Sequence, residues 1–177
     1  MSTAIQWGIP VIVGILTFFA GRAFERHKIA QSNRLRLLEP IEEWVSRASR
    51  LVGIIGDDVV AVSAGLPFPT IYSPTDRLET AKSLSENREK VLGILKSKAL
   101  STRGTRHLAA RLSDLLIQLG ISIEREYMPA DDRLLEKMNR KEDTRQDILG
   151  LLAATSAINL IIQEIYSCIA QLKIRFN

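Results

Sequence analysis

A single cysteine, Cys168, excludes an intrachain disulfide and makes a reducing compartment the simpler setting. The two histidines, His27 and His107, are isolated. Neither has a second His, Cys or carboxylate three or four positions further on, so no helix face carries a metal-ligand pair. There is no G-x-x-x-x-G-K-[ST] loop and no G-x-G-x-x-G turn, which removes the usual supports for nucleotide or dinucleotide chemistry. Cys168 has no histidine near it in sequence and reads as a structural thiol rather than a nucleophile. The pairs Asp57-Asp58 and Asp131-Asp132 are adjacent, so on a helix they diverge, and they read as helix-end residues. These absences predict no catalytic residue, no metal and no cofactor. An enzyme would have to assemble its site from groups far apart in the chain.

Aromatic residues are also scarce, at 6%, although 46% of the chain is hydrophobic. A core of Leu, Ile, Val and Ala suits helix-on-helix packing better than a β-sandwich.

Charge is missing altogether from Met1 to Gly21, and Ile5–Gly21 is dominated by Ile, Val, Leu and Phe. Seventeen helical residues at 1.5 Å each reach roughly 26 Å, a little short of a ~30 Å hydrocarbon core. Ala23 and Phe24 extend the segment if Arg22 snorkels to the headgroups, and Trp7 stands where an interfacial aromatic would. The basic residues follow the apolar stretch instead of preceding it, and no A-x-A site follows, so a retained anchor fits better than a cleaved signal peptide. A buried soluble helix is the alternative, disfavoured because the segment is apolar all round.

The formal net charge of +4 divides unevenly along the chain. Arg22, Arg26, Lys28, Arg34 and Arg36 stand against Glu25 alone, which places the whole excess between Arg22 and Arg36. Leu37–Asn177 then holds 19 basic and 19 acidic side chains, so the chain lacks the broad positive field of a nucleic-acid binder. Basic residues after an uncharged span put the N-terminus outside and the C-terminal domain in the cytoplasm, a single-pass membrane protein.

Leu37–Asn177 is 141 residues, enough for one domain with a real core. The expected organisation is a transmembrane anchor at 1–24, a basic juxtamembrane segment at 25–39 and a cytosolic four-helix bundle at 40–177. Leu37, Ile41, Trp44, Ala48, Leu51, Ile55, Val59 and Val62 recur at three- and four-residue steps, and Gly65 ends that helix. Ser73-Pro74-Thr75-Asp76 signals a second start, with a helix running to about Lys98. A third is expected over Thr102–Tyr127, stopped by Pro129. The last carries Ile148, Leu151, Thr155, Ile158, Ile162, Ile165, Ile169, Leu172 and Phe176 on one stripe, with Leu149, Ala153 and Leu160 as a second stripe that predicts cover on two sides. Ile148–Gln163 is uncharged and could serve as a second membrane segment, but Thr155, Ser156, Asn159 and Gln163 suit a bundle core better. The fold class is therefore all-α, an N-terminal single transmembrane helix followed by an up-down-up-down four-helix bundle.

Two stretches stand out. Lys90 to Arg111 has no acid and holds Lys96, Lys98, Arg103 and Arg106, which topology puts at the membrane-proximal end as a lipid-surface candidate; its plainer reading is a solvated helical hairpin. Leu66–Tyr72 is an apolar loop with two prolines whose Phe68, Ile71 and Tyr72 are candidate partner-binding anchors, or else a plug for the bundle end. It would lie at the distal end, near Glu124, Glu126, Asp131 and Asp132. Pro10, Gly14, Thr17 and Gly21 form a narrow face where a second membrane helix could pack, allowing a homo-oligomer. The function this predicts is non-enzymatic: a membrane-anchored scaffold that recruits or positions a protein partner. The alternative is a membrane-associated sensor whose bundle rearranges on ligand or partner binding.

Overall fold

In a computed structural model the chain is all-helical, and among the described residues there is no strand. The structure describes the backbone of residues 3–66 and 74–176, and the side chains of 17–66 and 75–176. The elements are α1 (Thr3–Arg36), α2 (Glu39–Ser63), α3 (Pro74–Leu95), α4 (Arg106–Ser122), a π-turn (Ile123–Tyr127), α5 (Met128–Arg140) and α6 (Arg145–Phe176).

The periodicity of α2 becomes its buried stripe: Ile41, Trp44, Val45, Ala48, Leu51, Val52, Ile55 and Val59. That stripe faces α3 on one side and α6 on the other, and α4 closes the ring by packing on α3 and α6. Trp44 is buried with its indole N–H satisfied by the Leu84 carbonyl at 2.9 Å, which ties α2 to α3. At Gly56 α2 packs directly on the Thr155 side chain of α6, since a Cβ there would meet its Cγ2 at 3.1 Å. Gly65, at φ 73°, ends the α2 segment in the left-handed region that glycine enters freely.

Pro40 stands in the first turn of α2, two residues after a short turn at Leu37–Leu38. Leu38 between α1 and α2 keeps right-handed helical angles, its N–H bonds the Leu35 carbonyl, and its own carbonyl accepts from Ile41 and Glu42. The basic stretch Arg22–Arg36 lies within α1, which is one helix from Thr3 to Arg36.

Two expectations are corrected. Pro129 does not stop the third helix, because the π-turn immediately before it lets the chain stay helical from Arg106 to Arg140. The Met128 N–H reaches back five residues to the Ile123 carbonyl; that wider turn relieves the contact a proline ring makes with the carbonyl four residues earlier. The second stripe of α6 is not covered: Leu149, Ala153 and Leu160 are exposed, because α2 and α4 both seat on the Leu151/Ile158/Ile165 stripe and leave the outer face open.

Among the described residues one helix, α6, is long and apolar enough to cross a membrane by length and composition. It is bound to the bundle by polar contacts as well as apolar ones: Thr155 to Tyr127, Glu164 to Arg111 and Lys173 to Glu42. Of residues 3–16, where the sequence puts the anchor, only the helical backbone is described.

Candidate functional site

Three features could meet a partner. The first is α1 itself. Its last turns lie against the ends of α6 and α2, where the Arg34 guanidinium sits 5.8 Å over the Phe176 ring. Upstream of Gln31 it leaves the bundle, and every side chain from Thr17 to Ala30 is exposed. Phe18, Phe19 and Phe24 are 61%, 63% and 69% exposed, and Arg22, Arg26 and Lys28 lie among or just after them. Thr17 and Gly21, the described part of the proposed self-association face, lie on this stretch.

The second is the pole at which α1 joins the bundle. The α3–α4 turn arrives there because α3 runs antiparallel to α2, so that Val91 and Ile94 line a cleft with Pro40 and Trp44. A small knot holds the turn. Fully buried Leu100 plugs the bundle end, the buried Thr105 hydroxyl donates to the Leu100 carbonyl at 2.6 Å, and it also pairs with the Thr102 hydroxyl at 2.8 Å. Lys96, Lys98, Arg103 and Arg106 all point to solvent around that knot. The end of α6 reaches the same pole, with Lys173 bonded to Glu42 at 2.6 Å.

The third is the distal end. Phe68, Ile71 and Tyr72 lie outside the described residues. Before and after that segment in sequence, Val60, Leu66 and Leu78 are exposed. Beneath them is a group that sequence reading missed. Arg77 of α3 is buried; its Nη1 lies 3.1 Å from both carboxylate oxygens of Asp131 on α5, and its Nη2 donates to Asp58 on α2. The adjacent aspartates do diverge, as expected, since Asp57 and Asp132 are exposed. Their buried partners, Asp58 and Asp131, converge from two helices on one guanidinium. Burial pushes the Asp131 carboxyl above the usual carboxylate range, and Arg77 pulls it back. The acidic character expected of this end is thereby reduced, and Glu124 is also engaged, by Arg88 at 2.9 Å. A sequence signal existed: an arginine in the first turn of a helix, where acids are favoured, needs a carboxylate from elsewhere.

Beside this network the π-turn aims Tyr127 into the core. It is fully buried, its hydroxyl donates to the Val52 carbonyl at 3.0 Å and meets Oγ1 of Thr155 at 2.8 Å, and burial pushes its pKa up to about 12. An open cleft of about 380 Å³ between α2 and α3 reaches Arg77, with Arg47 and Arg50 facing Asp76 and Glu79. Cys168 is buried, and burial raises its thiol pKa, with nearby Glu164 acting the same way; neither favours a thiolate. His107 and His27 are both exposed, and among the described residues no group of three His, Cys, Asp or Glu could hold a metal ion.

Comparison with protein-family models, with curated proteins and with solved structures gives no match.

Proposed function

We propose that this chain is a non-enzymatic, single-pass membrane-anchored helical bundle that recruits or positions a protein partner at the membrane. The observation that carries the anchor is the all-round exposure of α1 from Thr17 to Ala30, with three phenylalanines uncovered. An isolated helix gains little stability in water, and one with apolar side chains on every face needs a covering medium. Hydrocarbon supplies it as far as Phe24, and the flanking Arg22, Arg26, Lys28, Arg34 and Arg36 orient the bundle to the cytoplasm. Resistance of the full-length chain to alkaline carbonate, with digestion of the bundle by protease on the cytoplasmic side only, is the expected result. Release of intact protein by carbonate would end the proposal.

The partner reading rests on the distal end. Two prolines restrict Leu66–Tyr72 and so lower the entropy lost on binding, Phe68, Ile71 and Tyr72 are anchor-type residues, and Val60 and Leu78, on the helices before and after that segment in sequence, are exposed. Phe68→Ala with Tyr72→Ala should keep the melting temperature and lose the protein captured from membranes. Loss of roughly 3 kcal/mol of stability instead would make the loop a core cap.

A second reading, a sensor, draws on the α2/α3 cleft. A ligand there would touch Arg77, whose carboxylate partners lie on two other helices. Self-association through Gly14 and Gly21 is compatible with either reading; Gly14→Leu with Gly21→Leu should abolish a cross-linked oligomer.

A further inference from the structure

We infer that the pole formed by the α3–α4 turn and the ends of α1 and α6 docks on anionic lipid headgroups, giving the bundle a second attachment to the bilayer that anchors it. The inference rests on the anchor reading above. Its first support is distance. If hydrocarbon ends near Phe24, the helix from Glu25 to Ala30 is all that separates it from Gln31, the first partly covered residue of the bundle. Six helical residues advance about 9 Å. The interfacial layer of one leaflet is roughly 5–8 Å thick, so the pole begins within about 4 Å of the headgroup surface, inside a Debye length of about 8 Å. Any tilt of α1 brings it closer.

The second support is the charge left over at that pole. Glu42 is engaged by Lys173 and Glu43 by Arg47, which leaves Glu39 as the exposed acid of the α2 start. Arg36, Lys96, Lys98, Arg103, Arg106 and Arg175 are exposed, and among the described residues none of them enters an ion pair. Basic side chains near an anionic leaflet contribute up to about 1 kcal/mol each, and their shared placement lets them act together.

The third support is rigidity. Leu100 and the Thr102–Thr105 knot fix the turn before any lipid is met, so docking orders little backbone. Arg34 stacked on Phe176 likewise holds α1 to the end of α6, so the pole faces the side from which the anchor emerges.

The test uses the full-length chain in nanodiscs of phosphatidylcholine alone and of equimolar phosphatidylcholine and phosphatidylglycerol. An amine-reactive reagent is added, and labelling of Lys96 and Lys98 is followed by peptide mass spectrometry, with exposed Lys141 at the opposite end as the internal control. In anionic discs Lys96 and Lys98 should label roughly tenfold more slowly, the factor equivalent to 1.4 kcal/mol, while Lys141 is unchanged. High salt, or Arg103→Glu with Arg106→Glu, should restore the rate. Equal labelling in the two discs overturns the docking and leaves the anchor standing. Failure to enter neutral discs overturns the anchor itself. Equal protection by a soluble oligonucleotide in neutral discs would remove the assignment to lipid.

Discussion

Arg77 Nη1 lies 3.1 Å from both carboxylate oxygens of Asp131, 54 residues away in sequence, and both side chains are 2% exposed. With Asp58 on the other terminal nitrogen, one guanidinium faces two carboxylates and ties α2, α3 and α5 together. Removing the cation leaves two buried negative charges, so Arg77→Met should destabilise the bundle by about 3–5 kcal/mol. Asp131→Asn keeps a hydrogen-bond acceptor while deleting one of the two facing charges, and should stay within about 1 kcal/mol of the parent. Urea unfolding monitored by circular dichroism in mild detergent separates the two outcomes. Equal losses would remove charge balance as the explanation.

The same carboxyl gives a pH dependence of definite sign. Its folded pKa is raised by burial, so in the window above the ordinary value of about 3.9 the folded state holds the proton more tightly than the unfolded chain. The contribution of Asp131 to stability is therefore present at low pH and lost as pH rises through the folded value. The difference in unfolding midpoint between the parent and Asp131→Asn should shift in the variant's favour across that window. A shift in the parent's favour would falsify the assignment.

Tyr127 ties the π-turn to α2 and α6 through one hydroxyl. Tyr127→Phe keeps the ring and leaves the Val52 carbonyl without that donor, at an expected loss of about 1–2 kcal/mol. In a spectrophotometric titration one of the three tyrosines should ionise only near pH 12, and that component should be absent from the variant.

Lys141 closes α5 at φ 56° and ψ 35°, the left-handed region, which a side chain with a Cβ enters at a cost of about 1 kcal/mol. Its backbone N–H bonds the Met138 carbonyl and that of Glu142 bonds the Lys137 carbonyl, so the turn is well formed despite the residue. Lys141→Gly should raise stability by about 0.5–1 kcal/mol, readable as a higher melting temperature. No change would mean that the strain is already relieved.

What the sequence made legible was periodic. The α2 stripe from Ile41 to Val59 and the α6 stripe from Leu151 to Phe176 became buried faces because three- and four-residue spacing fixes which side of a helix is apolar. The π-turn was not legible. A proline normally argues for a helix end, and the register change that accommodates Pro129 is a backbone event with no side-chain signature. The open outer face of α6 was misread because periodicity shows which residues are apolar, not how many neighbours exist to cover them. The Arg77 group joins residues 19 and 54 positions apart, a convergence that requires the helices to be placed first.

The closure of α2 against α6 bears on how the chain is made. Glu42 waits for Lys173, 131 residues later, and Gly56 is spaced for Thr155. A ribosome adding about 5–20 residues each second needs several seconds to deliver α6 after α2 has emerged. For that interval the Ile41–Val59 stripe has only α3 and then α4 to lean on, and the bundle cannot close until α6 has been made. A chain stalled at Arg145 should therefore be the form that proteases and chaperones recognise, while the released chain escapes both.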